Sequence, residues 1–341
     1  MAEREAMTQS ALVDKFGRRV DYLRVSLTDR CDFRCVYCMA EEMTFMPRAQ
    51  ILTLEEIYRI CSAFVSLGVE KIRLTGGEPL IRRNMLSLVE RLGALKNLSN
   101  LVLTTNGSQL ETMAPALYQN GVKRINVSLD SLNPVKFRKL TRTGDLDRVL
   151  KGIDVALEQG FDNVKINAVI LKGRNDDEIL PLVEFVRSKG LDLTFIEEMP
   201  LGNISEHVRA EAFMASADVR EVIATQYPLE PIEQSTGGPA RYFRFKEDAK
   251  SGTHSKLGFI SPHSHNFCSQ CNRVRLTAEG RLLLCLGNEH SVDLRQPLRD
   301  GCSDEELQQI LIEAMDLKPE KHYFDLNEAP QIVRFMNMTG G

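Results

Sequence analysis

The chain of 341 residues has a formal net charge of −4, 43% hydrophobic residues and 26% charged residues, which are ordinary values for a globular protein. The small negative charge gives no reason to expect nucleic acid or an anionic membrane as a partner, and no apolar run is long enough to span a bilayer. Segment 1–10 lacks the apolar stretch of a signal peptide, so we expect a cytoplasmic protein whose eight cysteines bind metals or react instead of forming disulfides.

Short apolar strands alternate with amphipathic helices from about residue 21 to residue 198. Predicted strands occupy residues 21–27, 71–75, 101–105, 124–129, 163–170 and 193–197. Predicted helices occupy residues 54–67, 84–93, 111–119, 147–159 and 176–189, and Thr53 with Glu56 predicts a capping box at the start of the first. This order predicts an α/β fold with a parallel sheet, and six strand–helix units are enough for a partial (β/α)6 barrel.

The pattern changes near Gly237-Gly238-Pro239. Short mixed segments follow at 241–245, 256–260, 273–277 and 281–286, and then a helix at 304–314. We therefore expect a barrel domain over residues 1–235 and a smaller C-terminal cap domain over residues 236–341.

Polar residues and glycines follow the carboxyl ends of successive predicted strands. The first strand leads into a cysteine-rich loop, the second into Gly76-Gly77-Glu78-Pro79, and the third ends at Thr104-Thr105-Asn106-Gly107. Because reactive groups of barrel-like α/β folds collect at these ends, the sequence predicts an active site at one mouth of the barrel.

Six cysteines form two triplets, and neither triplet supplies four ligands. The triplets are Cys31, Cys35, Cys38 (C-x₃-C-x₂-C) and Cys268, Cys271, Cys285 (C-x₂-C-x₁₃-C). A [4Fe–4S] cluster takes thiolate ligands, so three cysteines leave one iron open to a ligand that is not protein. A structural zinc loop is the alternative for the first triplet.

The second triplet fits zinc and an iron–sulfur cluster about equally well by spacing, because His263, His265 or His290 could complete a Cys₃His site. Arg273 and Arg275 favour the cluster. Alternate residues of a strand face the same side, so both guanidinium groups point into one space, where they suit an anionic ligand such as a phosphate chain.

The first triplet, with Tyr37 before its last cysteine, resembles the signature of radical S-adenosylmethionine enzymes, and Gly76-Gly77-Glu78-Pro79 resembles the glycine motif of that family. Residues 23–31 (LRVSLTDRC), residues 267–276 (FCSQCNRVRL) and the terminal Gly340-Gly341 are together similar to the molybdenum cofactor biosynthesis protein A family, GTP 3′,8-cyclase. The resemblance covers nearly the whole chain.

This resemblance implies two [4Fe–4S] clusters, S-adenosylmethionine as cofactor and GTP as substrate. The first cluster binds the methionine end of the cofactor and the second binds the guanine base. A 5′-deoxyadenosyl radical removes hydrogen from ribose C3′, and the sugar radical attacks guanine C8. The implied product is (8S)-3′,8-cyclo-7,8-dihydroguanosine 5′-triphosphate, the precursor of cyclic pyranopterin monophosphate.

The resemblance also implies roles for individual residues. The implied GTP contacts are Arg24, Arg73, Thr104, Lys165, Arg273, Val274 and Arg275. The implied S-adenosylmethionine contacts are Tyr37, Gly77, Ser128 and Met199. The implied catalytic group is Arg273, Arg275, Gly340 and Gly341.

A terminal Gly-Gly normally frays, but the resemblance implies that this tail threads into the active site and assists the radical step. It further implies a one-electron donor such as a flavodoxin, cyclic pyranopterin monophosphate synthase as the next enzyme, and a homodimer. Cys61 lies on the apolar face of a predicted helix and is expected in the core, while Cys302 receives no role.

Two other functions remain open from the sequence. One is a different radical S-adenosylmethionine enzyme with an auxiliary cluster that modifies a peptide, and the Arg273/Arg275 pair argues against it. The other is an iron–sulfur or zinc-stabilised protein without catalytic activity, which would have fully ligated metal centres.

Overall fold

The predicted alternation of strands and helices is present in the computed structural model, which describes residues 12–204, 207–234, 236–247, 255–325 and 332–340. The expectation that no signal peptide is present concerns segment 1–10, which lies outside the described residues. Gly341 also lies outside them. Within them no helix is both long and apolar enough to cross a membrane.

The strands are β1 Tyr22–Ser26, β2 Lys71–Thr75, β3 Asn100–Thr105, β4 Arg124–Ser128, β5 Asn163–Val169, β6 Asp192–Ile196, β7 Leu229–Ile232, β8 Arg241–Phe245, β9 Lys256–Ile260, β10 Arg273–Leu276, β11 Arg281–Leu283 and β12 Ser291–Asp293. The helices are α1 Leu54–Ser66, α2 Met85–Gly93, α3 Leu110–Gln119, α4 Pro134–Thr141, α5 Leu146–Glu158, α6 Ile179–Lys189, α7 Arg209–Ala212, α8 Ser216–Ala224, α9 Arg295–Arg299, α10 Asp304–Ala314 and α11 Met336–Thr339.

All of these strands belong to one sheet, in the order β12-β11-β10-β1-β2-β3-β4-β5-β6-β9-β8-β7. Strands β1 to β6 are parallel neighbours, as the sequence predicts for a partial (β/α)6 barrel. Strand β10 adds a parallel strand beside β1, and β9 adds another beside β6, so the parallel part has eight strands.

The C-terminal segments cover both edges of the parallel array and extend the same sheet. Strands β11 and β12 continue antiparallel from β10, and β8 and β7 continue antiparallel from β9. Edge strands otherwise expose unpaired backbone groups, so this pairing satisfies both edges. Strands β7 and β8 pair with each other although the predicted domain boundary at 235/236 lies between them. The boundary itself stays a prediction.

Side-chain alternation separates the core from the inner face of the sheet. On β4, Ile125 and Val127 are fully buried in the hydrophobic core, while Asn126 and Ser128 on the other face are half-buried. Because successive residues of a strand point to opposite faces, this alternation leaves the polar residues for the interior of the barrel.

The predicted helices begin and end within about three residues of the observed ones. The capping box of α1 is confirmed, since Thr53 accepts from the amide of Glu56 and Glu56 accepts from the amide of Thr53. Residues 176–178, predicted as helical, form a 3₁₀ turn before α6. Cys61 is fully buried in the core, as expected.

Candidate active site

One cavity lies on the inner face of the sheet and is lined by residues of all eight parallel strands. Its space is about 1860 Å³ including the open mouth. All six cysteines of the two triplets line it, so the fold brings together groups that lie about 230 residues apart in sequence.

The loop after β1 carries Cys31, Cys35 and Cys38 and packs against the end of α4 through backbone hydrogen bonds. Burial raises the pKa of each of these three thiols, that of Cys38 to about 12. All three thiols line the cavity, and three thiolates on one loop can each bind one iron of a [4Fe–4S] cluster. The donor set therefore fits an iron–sulfur cluster.

Cys268 opens a 3₁₀ turn, Cys271 follows it, and Cys285 comes shortly after β11. Burial raises the pKa of Cys285. Burial would also raise the pKa of Cys271, but the positive charges of Lys318 and Arg273 bring it down to about 7. This triplet thus lies in a more positive environment than the first.

The zinc alternative for the two triplets requires ligands that converge on one ion. Among the described residues, no three His, Cys, Asp or Glu side chains converge closely enough to hold one metal ion. A zinc ion needs its ligands within about 2.0–2.3 Å, whereas each thiolate of a cluster binds a different iron. Nε2 of His263, one of the candidate zinc ligands, bonds the carbonyl of Glu198 at 3.0 Å.

The Gly-Gly-Glu-Pro motif packs against the loop that leads into Cys31. The amide of Gly77 donates to the carbonyl of Thr28 at 2.7 Å, and a Cβ at Gly77 would overlap the carbonyl oxygen of Arg30. Glycine is therefore required for close contact with the cysteine loop, a reason that the sequence did not predict. Gly77 also lines the cavity.

Three arginines lie side by side across adjacent strands. In the sheet register Arg275 of β10 pairs with Arg24 of β1, which pairs with Arg73 of β2. Neighbouring strands are about 4.8 Å apart, and like charges placed opposite each other destabilise a sheet. Burial, together with the adjacent arginines, lowers the pKa of Arg24 to about 10 and that of Arg275 well below its usual value. An anionic ligand would relieve this repulsion.

A second row contains Arg273, Tyr22 and Lys71 at paired positions of β10, β1 and β2. The Nε of Arg273 is buried and has no hydrogen-bond partner among the described residues. Burial lowers the pKa of Lys71 to about 8, against the pull of the Tyr22 hydroxyl. An unpartnered buried N–H in a cationic cavity fits a phosphate oxygen.

Sequence analysis missed Tyr22 and Lys71, although each stands two residues before a predicted contact on the same strand. Period-2 spacing from Arg24 and Arg73 would have found both. The hydroxyl of Tyr22 accepts from Nε of Arg73 at 2.7 Å. Burial alone would raise the pKa of this hydroxyl, but the charges of Arg73, Arg24 and Lys71 lower it well below its usual value.

The other predicted GTP contacts occupy different places. Thr104 accepts from Nη1 of Arg73 at 3.0 Å, and Lys165 donates to the hydroxyl of Tyr242 at 2.9 Å. Val274 also borders the cavity, but its side chain is buried in the hydrophobic core, so only its backbone could contact a nucleotide.

The predicted S-adenosylmethionine contacts Tyr37, Ser128 and Met199 line the cavity together with Gly77. The hydroxyl of Tyr37 donates to Asp130 at 2.8 Å. Burial raises the pKa of Asp130 to about 6.

The C-terminal tail follows the cavity wall. The amide of Met336 donates to the carbonyl of Cys38 at 3.2 Å, and the carbonyl of Gly340 accepts from Arg24 and Arg275. Asn337, which the sequence did not single out, lines the cavity and carries a buried Oδ1 that has no partner among the described residues. Of the predicted catalytic residues, Arg275 contacts Gly340 directly, Arg273 lies two residues before Arg275 on β10, and Gly341 is not described.

Two family models match the chain. One, described as Radical SAM superfamily, matches residues 25–186, and the other, described as Molybdenum Cofactor Synthesis C, matches residues 191–324. Similar curated proteins include the GTP 3′,8-cyclases of Marinobacter nauticus and Pseudomonas fluorescens, each 59% identical over 336 residues that cover 98% of this chain and 100% of the relative. The GTP 3′,8-cyclase of Pseudomonas putida strain W619 is 56% identical over 97% of this chain and 98% of its own length.

Solved structures of similar fold include Streptococcus suis SuiB bound to S-adenosylmethionine, with a TM-score of 0.59 and 16% identity over 99% of this chain and 80% of that one. SuiB bound to the precursor peptide SuiA has a TM-score of 0.57 and 16% identity over 92% of this chain and 76% of that one. At such low identity the likeness shows the fold alone.

Proposed function

This chain belongs to the GTP 3′,8-cyclase family of radical S-adenosylmethionine enzymes, and from that premise we propose that it converts GTP into (8S)-3′,8-cyclo-7,8-dihydroguanosine 5′-triphosphate in molybdenum cofactor biosynthesis. The proposal rests mainly on one observation: both cysteine triplets and the row of Arg275, Arg24 and Arg73 line the same cavity.

Cys31, Cys35 and Cys38 would hold the first [4Fe–4S] cluster, and Cys268, Cys271 and Cys285 the second. When bound, the clusters would supply the one-electron chemistry that generates the 5′-deoxyadenosyl radical and a binding place for the guanine base. All six of these cysteines line the cavity, which supports placing both clusters in it.

The arginines and lysines would bind the triphosphate and orient the ribose. Arg24, Arg73 and Arg275 provide planar guanidinium groups that suit phosphate oxygens, and Lys71 and Lys165 provide point charges. Repulsion among these buried cations without a ligand supports a polyanionic substrate, because binding would convert it into attraction. Arg273 contributes through its unpartnered Nε.

Residues of the chain would also exclude water from the carbon radicals. The cavity is enclosed by the eight parallel strands, and the tail from Met336 to Gly340 lies along its wall. Water exclusion prevents a reactive intermediate from being quenched by side reactions. We propose that Gly340 and Gly341 keep the tail at the substrate, and that Tyr37, Gly77, Ser128 and Met199 contact S-adenosylmethionine.

The family assignment supports three further proposals about partners. A one-electron donor such as a flavodoxin would reduce the first cluster, cyclic pyranopterin monophosphate synthase would consume the product, and two copies of the chain would form a homodimer. The reducing cytoplasm is the proposed compartment, supported by eight cysteines of which none is paired.

The direct test is anaerobic reconstitution with iron, sulfide and reductant, followed by S-adenosylmethionine and GTP. We expect 5′-deoxyadenosine to form only when GTP is present. GTP that carries deuterium at C3′ should transfer it to the deoxyadenosine, and GTP labelled at C2′ should not. Deoxyadenosine that forms without GTP, or does not form at all, would contradict the proposal.

Two variants sharpen this test. Cys31→Ala should abolish deoxyadenosine formation, and Cys268→Ala should remove iron from the second site and stop GTP turnover. Cys302→Ala is the matched control, because this cysteine does not line the cavity and should leave both activity and iron content unchanged. Turnover of a peptide in place of GTP would support the peptide-modifying alternative.

A further inference from the structure

Lys318 is a buried lysine beside the second cysteine triplet. Its side chain is 1% exposed, and the residue follows the 3₁₀ turn Met315–Leu317 at the end of α10. Its Nζ donates to the carbonyl of Leu284 at 2.7 Å, to the carbonyl of Arg273 at 3.2 Å and to Sγ of Cys271 at 3.4 Å. An ammonium has three N–H donors, so each of them has an acceptor.

No carboxylate of the described residues pairs with Lys318: both oxygen acceptors are neutral carbonyls, and the remaining acceptor is a cysteine. A buried ammonium without a counter-ion is strongly unfavourable in a protein interior. Thiolate sulfur at Cys271, with Cys268 and Cys285 on the same cavity, would provide the missing negative charge. The position of Lys318 is therefore explained by an anionic group at the second triplet.

The first triplet is surrounded differently. No lysine or arginine among the described residues donates to the sulfur of Cys31, Cys35 or Cys38, and the sulfur of Cys31 accepts only from neutral amides of Phe33 and Asn106. Buried cations line the cavity elsewhere, but among the described residues it is the second triplet whose cysteine sulfur accepts from one.

Lys318 donates hydrogen bonds to two carbonyl groups that lie in the segments of the proposed substrate contacts and cluster ligands. Arg273 begins β10, the strand that also carries Arg275, and Leu284 directly precedes Cys285. One ammonium thus links a cluster ligand, the strand of the phosphate contacts and the loop of another cluster ligand.

We propose that Lys318 is a positioning residue of the second cluster: it fixes Cys271 and the segments on either side, and its charge raises the reduction potential of that cluster. This inference rests on the second cluster of the proposed function. Hydrogen bonds to cluster sulfur and nearby positive charge stabilise the reduced, more negative state, which sets the direction of the effect.

The test is a reductive titration of the reconstituted full-length protein, followed by electron paramagnetic resonance. A background in which Cys31, Cys35 and Cys38 are all alanine identifies the signal of the second cluster. Lys318→Met should shift its one-electron equilibrium at least tenfold toward the oxidised state, which is about 59 mV. The potential of the first cluster should not move. Lys318→Arg keeps the positive charge, so the potential of the second cluster should stay close to that of the unaltered protein.

Lys321→Met is the matched control, because Lys321 is exposed three residues away and should leave both potentials unchanged. If Lys318→Met loses the second cluster while Lys318→Arg keeps it, the positioning role is supported, and Lys318→Gln then tests the charge. An unchanged potential of the second cluster in Lys318→Met overturns this inference and leaves the proposed function intact. If Lys318→Met has lost the cluster, an unchanged potential in Lys318→Gln has the same consequence. A protein with no second cluster before any change at Lys318 overturns the proposed function and this inference with it.

Discussion

The carbonyl oxygen of Gly340 accepts a hydrogen bond from Nη1 of Arg275 at 3.0 Å, although the two residues lie 65 positions apart. Arg24 on the adjacent strand donates to the same oxygen at 3.3 and 3.2 Å. Gly340 has φ +78, and a Cβ there would lie 2.9 Å from Cγ2 of Thr75. Both the backbone conformation and the contact therefore require glycine at this point of the tail.

Gly340→Ala should lower GTP turnover by about tenfold or more, because a positive φ at a non-glycine residue costs about 1–3 kcal/mol and would displace the tail. The measurement is the initial rate of product formation, with iron content as a check on both clusters. Gly301→Ala is the control: it has φ +87 but nothing within 4 Å of its Cβ, so it should lose stability and keep its rate. Equal rates in the two variants would contradict a role for the tail.

The double variant Arg273→Ala, Arg275→Ala should weaken GTP binding by about 100-fold or more, because a hydrogen bond to a charged group contributes about 1.5–3 kcal/mol. The first cluster should assemble normally, since neither arginine contacts its ligands. Equilibrium dialysis with GTP measures the change. Arg281→Ala on β11 is the control, because its guanidinium bonds Ser291 outside the cavity. Unchanged affinity in the double variant would rule out the phosphate role.

Local patterns were sufficient to predict the parallel strands and most helices. Strand β2 has the predicted bounds, and the other five predicted barrel strands differ by no more than one or two residues, because alternation and turn signals are encoded within each segment. Helix α4 was missed, although Asn133 as N-cap and Pro134 at the first position are standard signals.

Long-range relationships could not be derived from the sequence. Nothing local in β10 or β9 indicates that each pairs in parallel with an edge strand of the barrel, since pairing partners are set by tertiary packing. The same applies to Lys318, which is 47 residues from Cys271. The cysteine triplets were predictable because their spacing is itself local, whereas the cation rows required the register of three strands.

GTP affinity should fall as pH rises through about 8. Burial lowers the pKa of Lys71 to about 8 in the protein without ligand, and a bound triphosphate would raise it again. Binding above pH 8 therefore requires proton uptake, and linkage predicts that the dissociation constant rises about tenfold between pH 7 and pH 9.

Two variants test this origin. Lys71→Met should remove the pH dependence near 8, whereas Lys96→Met, at an exposed lysine, should retain it. The pKa of the Tyr22 hydroxyl is also lowered, and its negative charge would weaken GTP binding at high pH as well. Because that hydroxyl raises the pKa of Lys71, Tyr22→Phe should keep the Lys71 transition but move it to lower pH. A dissociation constant that does not vary with pH in the unaltered protein would show that Lys71 stays charged without ligand.

Glu78 connects the glycine motif to the end of β3. Its carboxylate is fully buried and accepts from the amide of Leu80 at 2.9 Å, from the hydroxyl of Thr105 at 2.8 Å and from the amide of Asn106 at 2.7 Å. Asn106 in turn donates to Asp32, next to Cys31. Displacing Glu78 should therefore disturb the loop of the first triplet.

Burial raises the pKa of Glu78 to about 8 in the folded protein, against about 4.5 when unfolded. The folded state then binds more protons between these values, so the contribution of Glu78 to stability falls as pH rises from about 4.5 to 8 and is constant above that range. Glu78→Gln places an amide donor opposite N–H or O–H donors, which should cost about 1–3 kcal/mol and speed the loss of the first cluster. Urea unfolding at a series of pH values measures both effects, with Glu90→Gln on the exposed face of α2 as control. If the pH slope of the unfolding free energy is the same in both variants, Glu78 is not the group that titrates.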